Sequence, residues 1–237
     1  MIRDLSPEEY PALLKEIPDP PKNLRLEGSL PPPQYKLLAV VGSRKFSPYG
    51  KRVCEELIES LKGEPISIVS GLALGIDSIA HEAALRAGLH TLAIPGSGLD
   101  RSVIHPKSHI DLANRIVANG GGLLSEYEDK MPYPGKWVFP KRNRLMAGLC
   151  HAVLVIEAGE KSGTLITSRL ATEYNRDVGA VPGDISNKNS SGPHMLLGLG
   201  AAVIRNKEDI LELLQIENGD HLGHPFKVEL TPTHHGT

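Results

Sequence analysis

Three cations fall within four residues at Lys141, Arg142 and Arg144, with Asn143 among them and Phe139-Pro140 just ahead. Proline suits the first turn of a helix, so the segment reads as a helix N-terminus. Positive side chains there oppose the helix dipole, at a cost of roughly a few tenths of a kcal/mol. A nearby anion offsets that cost. An ion pair with Glu126 or Glu128 does the same, and the two readings are compatible. Lys141 and Arg144 are three apart and share a helix face. They are the expected phosphate contacts, with Arg142 turned elsewhere as the partner of Glu126 or Glu128.

Three glycine- and hydroxyl-rich turns carry related chemistry. Gly42-Ser43-Arg44 closes an apolar run, where glycine permits a tight turn and close ligand approach. The chain continues as GSRKFSPYG. The GxGxxG spacing of dinucleotide sites is missing, so no nicotinamide or flavin cofactor is expected. Arg44 fits either a phosphate or a surface ion pair, and with Lys141 and Arg144 it is the expected phosphate contact. Gly71 and Gly75 flank a second turn in SGLALGID. Its Asp77 and His81 form either an acid–base pair or, as the preferred reading, a helix cap with a locally packed histidine. Ser162, Gly163 and Thr164 open a further helix with N–H and hydroxyl donors for phosphate. GxxxxGK[ST] is missing as well, so ATP hydrolysis has no machinery. The polar loop from Pro182-Gly183-Asp184 to Gly192 either covers a ligand or simply connects two elements. No catalytic residue, cofactor or metal site is expected.

Alternating elements must position these turns. Apolar runs at Leu37–Gly42, Ile66–Gly71, His90–Gly96, Gly122–Tyr127, Ala152–Ala158, Val178–Gly183 and Ala201–Ile204 read as strands. Helices are expected over Tyr49–Leu61, Asp77–Ala87, His109–Asn119, Pro140–Cys150, Ser162–Tyr174, Pro193–Leu197 and Asn206–Ile216. Such alternation implies an α/β fold, an extended Rossmann-like domain whose mostly parallel sheet carries helices on both faces. Ligand-binding turns then gather at the carboxyl ends of the strands.

The domain is expected over residues 35–216. Residues 1–34 carry Pro7, Pro11, Pro18, Pro20, Pro21, Pro31, Pro32 and Pro33. Proline fixes φ and removes a donor, so this lead-in is expected to be irregular or weakly helical, strapped along the domain. Residues 217–237 form a polar, histidine-rich tail, expected to be disordered. Basic residues number 26 and acidic residues 28, for a formal charge of −2. A broad nucleic-acid-coating surface is thereby excluded, and any such site is a local basic pocket. Cys54 and Cys150 read as small buried hydrophobes. No apolar leader or membrane-length apolar run is present. The expected compartment is the cytoplasm.

The strings GSR…YG, SGLALGIDSIAHEAAL, GSGLD, LLSEY, FPKRNR, VIEAGEKSGTLIT and AVPGD, in this order, resemble the DNA-processing protein A family, also called Smf. The lead-in IPDPPKNL resembles the linker preceding the domain in that family, and the resemblance covers about residues 16–215. It implies an extended Rossmann-like domain that binds single-stranded DNA and dimerises. It also implies protection of incoming DNA in natural transformation and loading of the RecA recombinase. The implied DNA pocket matches Gly42, Ser43 and Arg44 with Lys141, Arg142, Asn143 and Arg144. Gly71, Gly75 and Ser162–Thr164 match its turns. The helical and winged-helix domains of many members do not fit in this length. His105-Pro106 stands where the family commonly has Tyr-Pro, which removes one stacking aromatic. Phe46, Tyr127, Tyr133, Trp137 and Phe139 are the remaining stacking candidates.

The alternative is an enzyme, a nucleoside-monophosphate phosphoribohydrolase of the lysine-decarboxylase-like type, whose PGGxGTxxE motif resembles residues 158–167. Thr167 stands at the catalytic glutamate of that motif, and a hydroxyl is no general acid or base near neutral pH. A homodimer is expected, with Ile210, Leu211, Leu213, Leu214 and Ile216 of the last helix as its apolar face, unless these side chains simply cover the sheet.

Overall fold

A computed structural model describes residues 1–132 and 138–217. Nine strands form one sheet: β1 (Ile2–Asp4), β2 (Arg25–Gly28), β3 (Lys36–Val41), β4 (Ile66–Ser70), β5 (His90–Ala93), β6 (Gly122–Ser125), β7 (Ala152–Val155), β8 (Asp177–Ala180) and β9 (Ala202–Val203). Their spatial order is β1-β2-β6-β5-β4-β3-β7-β8-β9. From β6 to β9 every pairing is parallel, while β2 runs antiparallel to both β1 and β6. This is the expected α/β class with a mostly parallel sheet.

Side chains alternate across the pleat, which explains helices on both faces. Leu38 and Val40 point into one buried cluster with Ile66, Ile68 and Leu154. Helices α2 (Pro48–Ser60) and α3 (Ile76–Ala87), with α8 (Lys207–Leu213), cover that face. Leu37, Ala39 and Val41 point the other way, towards α5 (Val138–Leu149) and α6 (Gly163–Glu173). The short α1 (Ala12–Lys15) joins that layer, and α7 (Ser191–Gly198) packs its Leu196 and Leu197 there. Helix α4 (Ile110–Ala118) closes a third cluster over Ala93 and Leu123.

The first 34 residues differ from the expectation. They contribute β1 and β2, and Leu14, Ile17, Leu24 and Leu26 are buried in the same cluster as Leu145 and Met146 of α5. Both strands lie in the proline-free pieces Ile2–Asp4 and Arg25–Gly28. The proline-rich stretches between and after them supply the turns. The apolar residues of α8 are also reassigned. Ile210, Leu211, Leu213 and Leu214 are buried in the core with Ile216 packed against them, so they cover the sheet and form no dimer face. Tail residues 218–237 lie outside the described residues, as do Tyr133 and Trp137.

Chain order turns at one place. From β3 the strands proceed through β4 and β5 to β6, then return across β3 to β7, β8 and β9. The crevice beyond the carboxyl ends of β3 and β7 is therefore the topological switch point, where open α/β sheets bind ligands.

Candidate nucleic-acid interface

A cleft of about 850 Å³ opens at that switch point. Val41, Gly42, Ser43, Arg44 and Lys45 line it from the end of β3. Gly159, Lys161, Ser162, Gly163 and Thr164 line it after β7, and Arg142, Asn143 and Met146 from α5. Ala73 enters from the loop after β4, Asp77 from the first turn of α3, His105 from the loop after β5 and Asn189 from the loop after β8. A smaller recess beside it shares Arg44, Ala73, His105 and Arg142, and adds Gly71, Leu74, Gly96 and Pro106.

Each wall has a local cause. Ser162 caps α6, accepting from the Thr164 N–H at 3.2 Å. The early N–H groups of a helix lack intrahelical partners, and Gly163 leaves open space beside them. Ser43 serves the loop itself. Its N–H donates to the Glu157 carbonyl at 2.7 Å, and its carbonyl accepts from Ile76 N at 3.2 Å. Gly42 is a packing position, since a Cβ there would come within 2.6 Å of Ile76. Gly75 has φ +87°, and a Cβ would lie 2.4 Å from the Ser43 carbonyl oxygen. This turn after β4 must therefore pass close to the Ser43–Arg44 backbone, which requires glycine.

The cation-bearing helix α5 is rotated relative to the sequence expectation. Arg142 is buried and reaches into the cleft, with Nη1 3.6 Å from Asp77 Oδ2. Asn143 donates from Nδ2 to the Gly163 carbonyl at 3.3 Å, tying α5 to the first turn of α6. Arg144 faces away. Its Nη2 lies 2.5 Å from Glu126 Oε2, and its Nη1 donates to the Asp19 carbonyl at 2.5 Å. Lys141 is exposed and contributes to the field at Glu126, whose carboxyl burial pushes up while Arg144 and then Lys141 oppose the rise. Neither Lys141 nor Arg144 lines the cleft. The expected division is thus reversed: Arg142 serves the cleft, and Arg144 holds Glu126. Glu128 instead pairs with Arg25.

Asp77 is no helix cap, because Gly75 holds that position. Its carboxylate instead accepts from the Gly71 N–H at 3.1 Å and faces Arg142. Burial pushes its pKa up, opposed first by Arg142. His81 forms no acid–base pair. It is fully buried, shares a 2.7 Å hydrogen bond with Thr91, and burial pulls its pKa down to about 3. Thr167 is buried at the cleft's floor. Lys161, Asn189 and Met146 also line the cleft; none is among the contacts expected from sequence, though Asn189 lies in the polar loop read as covering a ligand or connecting two elements. Lys161 and Asn189 each follow a strand end in a polar loop, the one signal that marks them. Among the stacking candidates, Phe46 is exposed and Tyr127 buried.

In two other grooves the arginines are held in ion pairs. In one, Arg86 is held by Glu55 and Glu59, and Arg115 by Glu82 and Asp111. In the second, Lys207 pairs with Glu64 and Arg205 with Asp209. Among the described residues no group of His, Cys, Asp and Glu is arranged to hold a metal, and no helix is long and apolar enough to cross a membrane.

The fold is Rossmann-type and doubly wound, with basic side chains and a helix N-terminus lining the cleft at its switch point. The chain belongs to the DNA recombination-mediator protein A family, whose model matches residues 2–215. It is 44% identical over 208 residues to protein Smf of Escherichia coli, covering 88% of this chain and 55% of that protein. It therefore spans little more than half of the E. coli relative. The X-ray structure of DNA processing protein A from Streptococcus pneumoniae superposes with a TM-score of 0.82 at 41% identity, over 89% of this chain and 74% of that one. A structure of the Helicobacter pylori DNA processing protein A, described for its single-stranded DNA binding mode, gives 0.77 at 32% identity over 90% and 95% of the two chains.

Proposed function

We propose that this chain binds single-stranded DNA through the switch-point cleft and acts on it without catalysis. The observation that carries the reading is the convergence of Arg44 and Arg142, from opposite sides of the switch point, on a cleft that also holds the start of α6. Backbone phosphates are the anions such a cleft fits, and phosphate contacts position a strand without reading its sequence. Membership of a recombination-mediator family and the single-stranded DNA binding described for the H. pylori relative support the same reading.

The engagement of Asp77, which lines the cleft, and of buried Glu157 supports a non-catalytic role. Asp77 is engaged by Gly71 and Arg142, and Glu157 by Ser47 and two asparagines. Neither is placed as a free general base. The phosphoribohydrolase reading gains nothing from Thr167, a hydroxyl at the position where that chemistry needs a carboxylate.

The wider role is to shield single strands and assist loading of the RecA recombinase in the cytoplasm, with the chain working as a homodimer. For the dimer, Met195, Leu199 and Val203 offer exposed apolar side chains on α7, the turn after it and the edge strand β9. The test of the core reading is a titration against oligo(dT) and a duplex of equal length at matched salt. The single strand is expected to bind more tightly. Equal affinities would contradict a recessed single-strand site.

A further inference from the structure

Glu157 is a carboxylate only 2% exposed, buried directly behind a cleft that the preceding reading gives to a polyanion. Its own charge opposes such a ligand, so its placement needs another cause. Four donors converge on it. Oε2 accepts from the Ser47 N–H at 2.8 Å, and Oε1 from the Ser47 hydroxyl at 2.5 Å. Asn187 Nδ2 lies 3.4 Å from Oε1, and Asn189 Nδ2 3.4 Å from Oε2. Ser47 ends the loop that carries Arg44 and Lys45, while both asparagines belong to the loop after β8. Asn189 also donates to the Lys45 carbonyl at 2.7 Å. Gly50 of α2 completes the fit, since a Cβ there would come within 2.3 Å of the Glu157 carboxyl carbon.

We propose that Glu157 is a positioning residue for DNA binding. It locks the loops after β3, β7 and β8 to one another and so holds Arg44 and Lys45 at the cleft. This role rests on the single-stranded DNA reading. An ionised carboxylate is acceptor-only, with about four lone-pair sites, and here four donors meet it. Glutamine would turn two of its own N–H bonds into that ring of donors. The alternative role is purely electrostatic, and it has the opposite sign. If the charge of Glu157 merely repelled phosphate, its neutralisation would strengthen binding.

The experiment compares Glu157→Gln with the parent chain in oligo(dT) affinity, salt slope and amide hydrogen exchange. Affinity is expected to fall about tenfold, the effect of losing one hydrogen bond to a charged group. The slope of log K against log salt should become shallower by roughly 0.7 for each phosphate that is no longer neutralised. Exchange should rise in residues 42–50 and 184–191 together. In an Arg44→Ala/Lys45→Ala background the same change should add no more than about a twofold loss, because residues acting through one unit are non-additive. Gly50→Ala, whose added methyl would displace the Glu157 carboxylate, should reproduce the exchange and slope changes if the glutamine variant does not fold. Tighter or unchanged binding, or unchanged exchange in 42–50, would overturn the positioning role. If Arg44→Ala alone leaves affinity and slope intact, the DNA reading of the cleft is what fails, and the exchange measurement still decides whether Glu157 holds the loops.

Discussion

Arg142 Nη1 lies 3.6 Å from Asp77 Oδ2, both side chains are buried, and Gly71 makes room for the guanidinium. A Cβ on Gly71 would fall 1.1 Å from that same nitrogen and 2.6 Å from the Asp77 carboxylate oxygen. Gly71→Ala is therefore expected to push Arg142 out of its place. Oligo(dT) affinity should drop about tenfold, with a salt slope shallower by roughly 0.7. A folded Gly71→Ala chain with parental slope would show that Arg142 does not touch phosphate.

Arg144 should behave in the opposite way. With side-chain exposures of 12% and 11%, Arg144 and Glu126 form a largely buried pair. Removing one partner of such a pair costs about 3 kcal/mol. Arg144→Ala should lower the denaturation midpoint and leave the salt slope of DNA binding unchanged. Chemical denaturation alongside titration separates the two effects, and a changed slope in a stable variant would return Arg144 to the interface.

Acid should destabilise the chain through His81. Burial pulls its pKa down to about 3, against about 6.5 in an unfolded chain. Above about pH 6.5 both states hold it neutral and its contribution is complete. Below that the unfolded chain takes up a proton that the folded one refuses, so stability falls as pH drops towards 3. The slope from this group approaches roughly 1.4 kcal/mol per pH unit. His151, pulled down to about 4 by burial, acts in the same direction. Urea midpoints from pH 7 to 4 for the parent and His81→Asn should converge as pH falls. Parallel curves would mean that His81 titrates alike in both states.

Self-association should follow Leu199 and not Leu211. Leu199 is 78% exposed, and Leu211 lies in the core at 1%. Leu199→Glu is expected to shift a dimer to monomer in sedimentation without lowering the melting temperature. Leu211→Ala should cost about 2–5 kcal/mol of stability, as buried leucines do. A Leu199→Glu chain that sediments like its parent would remove α7 and β9 from the interface.

Much of this molecule is legible from its residues. The strands from β3 onwards lie in apolar runs, several of them closed by glycine, and their alternation with amphipathic helices fixes a parallel sheet. β1 and β2 are hidden because their residues, IRD and RLEG, are largely charged and form no apolar run. The prolines around them mask them further. Gly42, Ser43, Arg44, Asn143 and Ser162–Thr164 all line the cleft, and Arg142 joins them although its place on the helix reads as turned elsewhere. The spacing of Lys141, Arg142 and Arg144 separates the first and third from the second. Which face meets the cleft depends on the rotation of α5 about its axis. That rotation is set by burial of Leu145, Met146 and Leu149 against the sheet and the lead-in, at long range in the chain. Asp77 reads as a cap for a related reason, since its actual partners Gly71 and Arg142 are joined to it only by the fold.

The most direct test of the cleft as a phosphate site is the salt dependence of oligo(dT) binding by Arg44→Ala/Lys161→Ala. Both residues line the cleft and are exposed, so the fold should survive their removal. With two phosphates no longer neutralised, the slope should become shallower by roughly 1.4, at about 0.7 each for a single strand. Affinity should fall for all sequences alike. A folded double variant that keeps the parental affinity and slope would contradict the assignment of single-stranded DNA to this cleft.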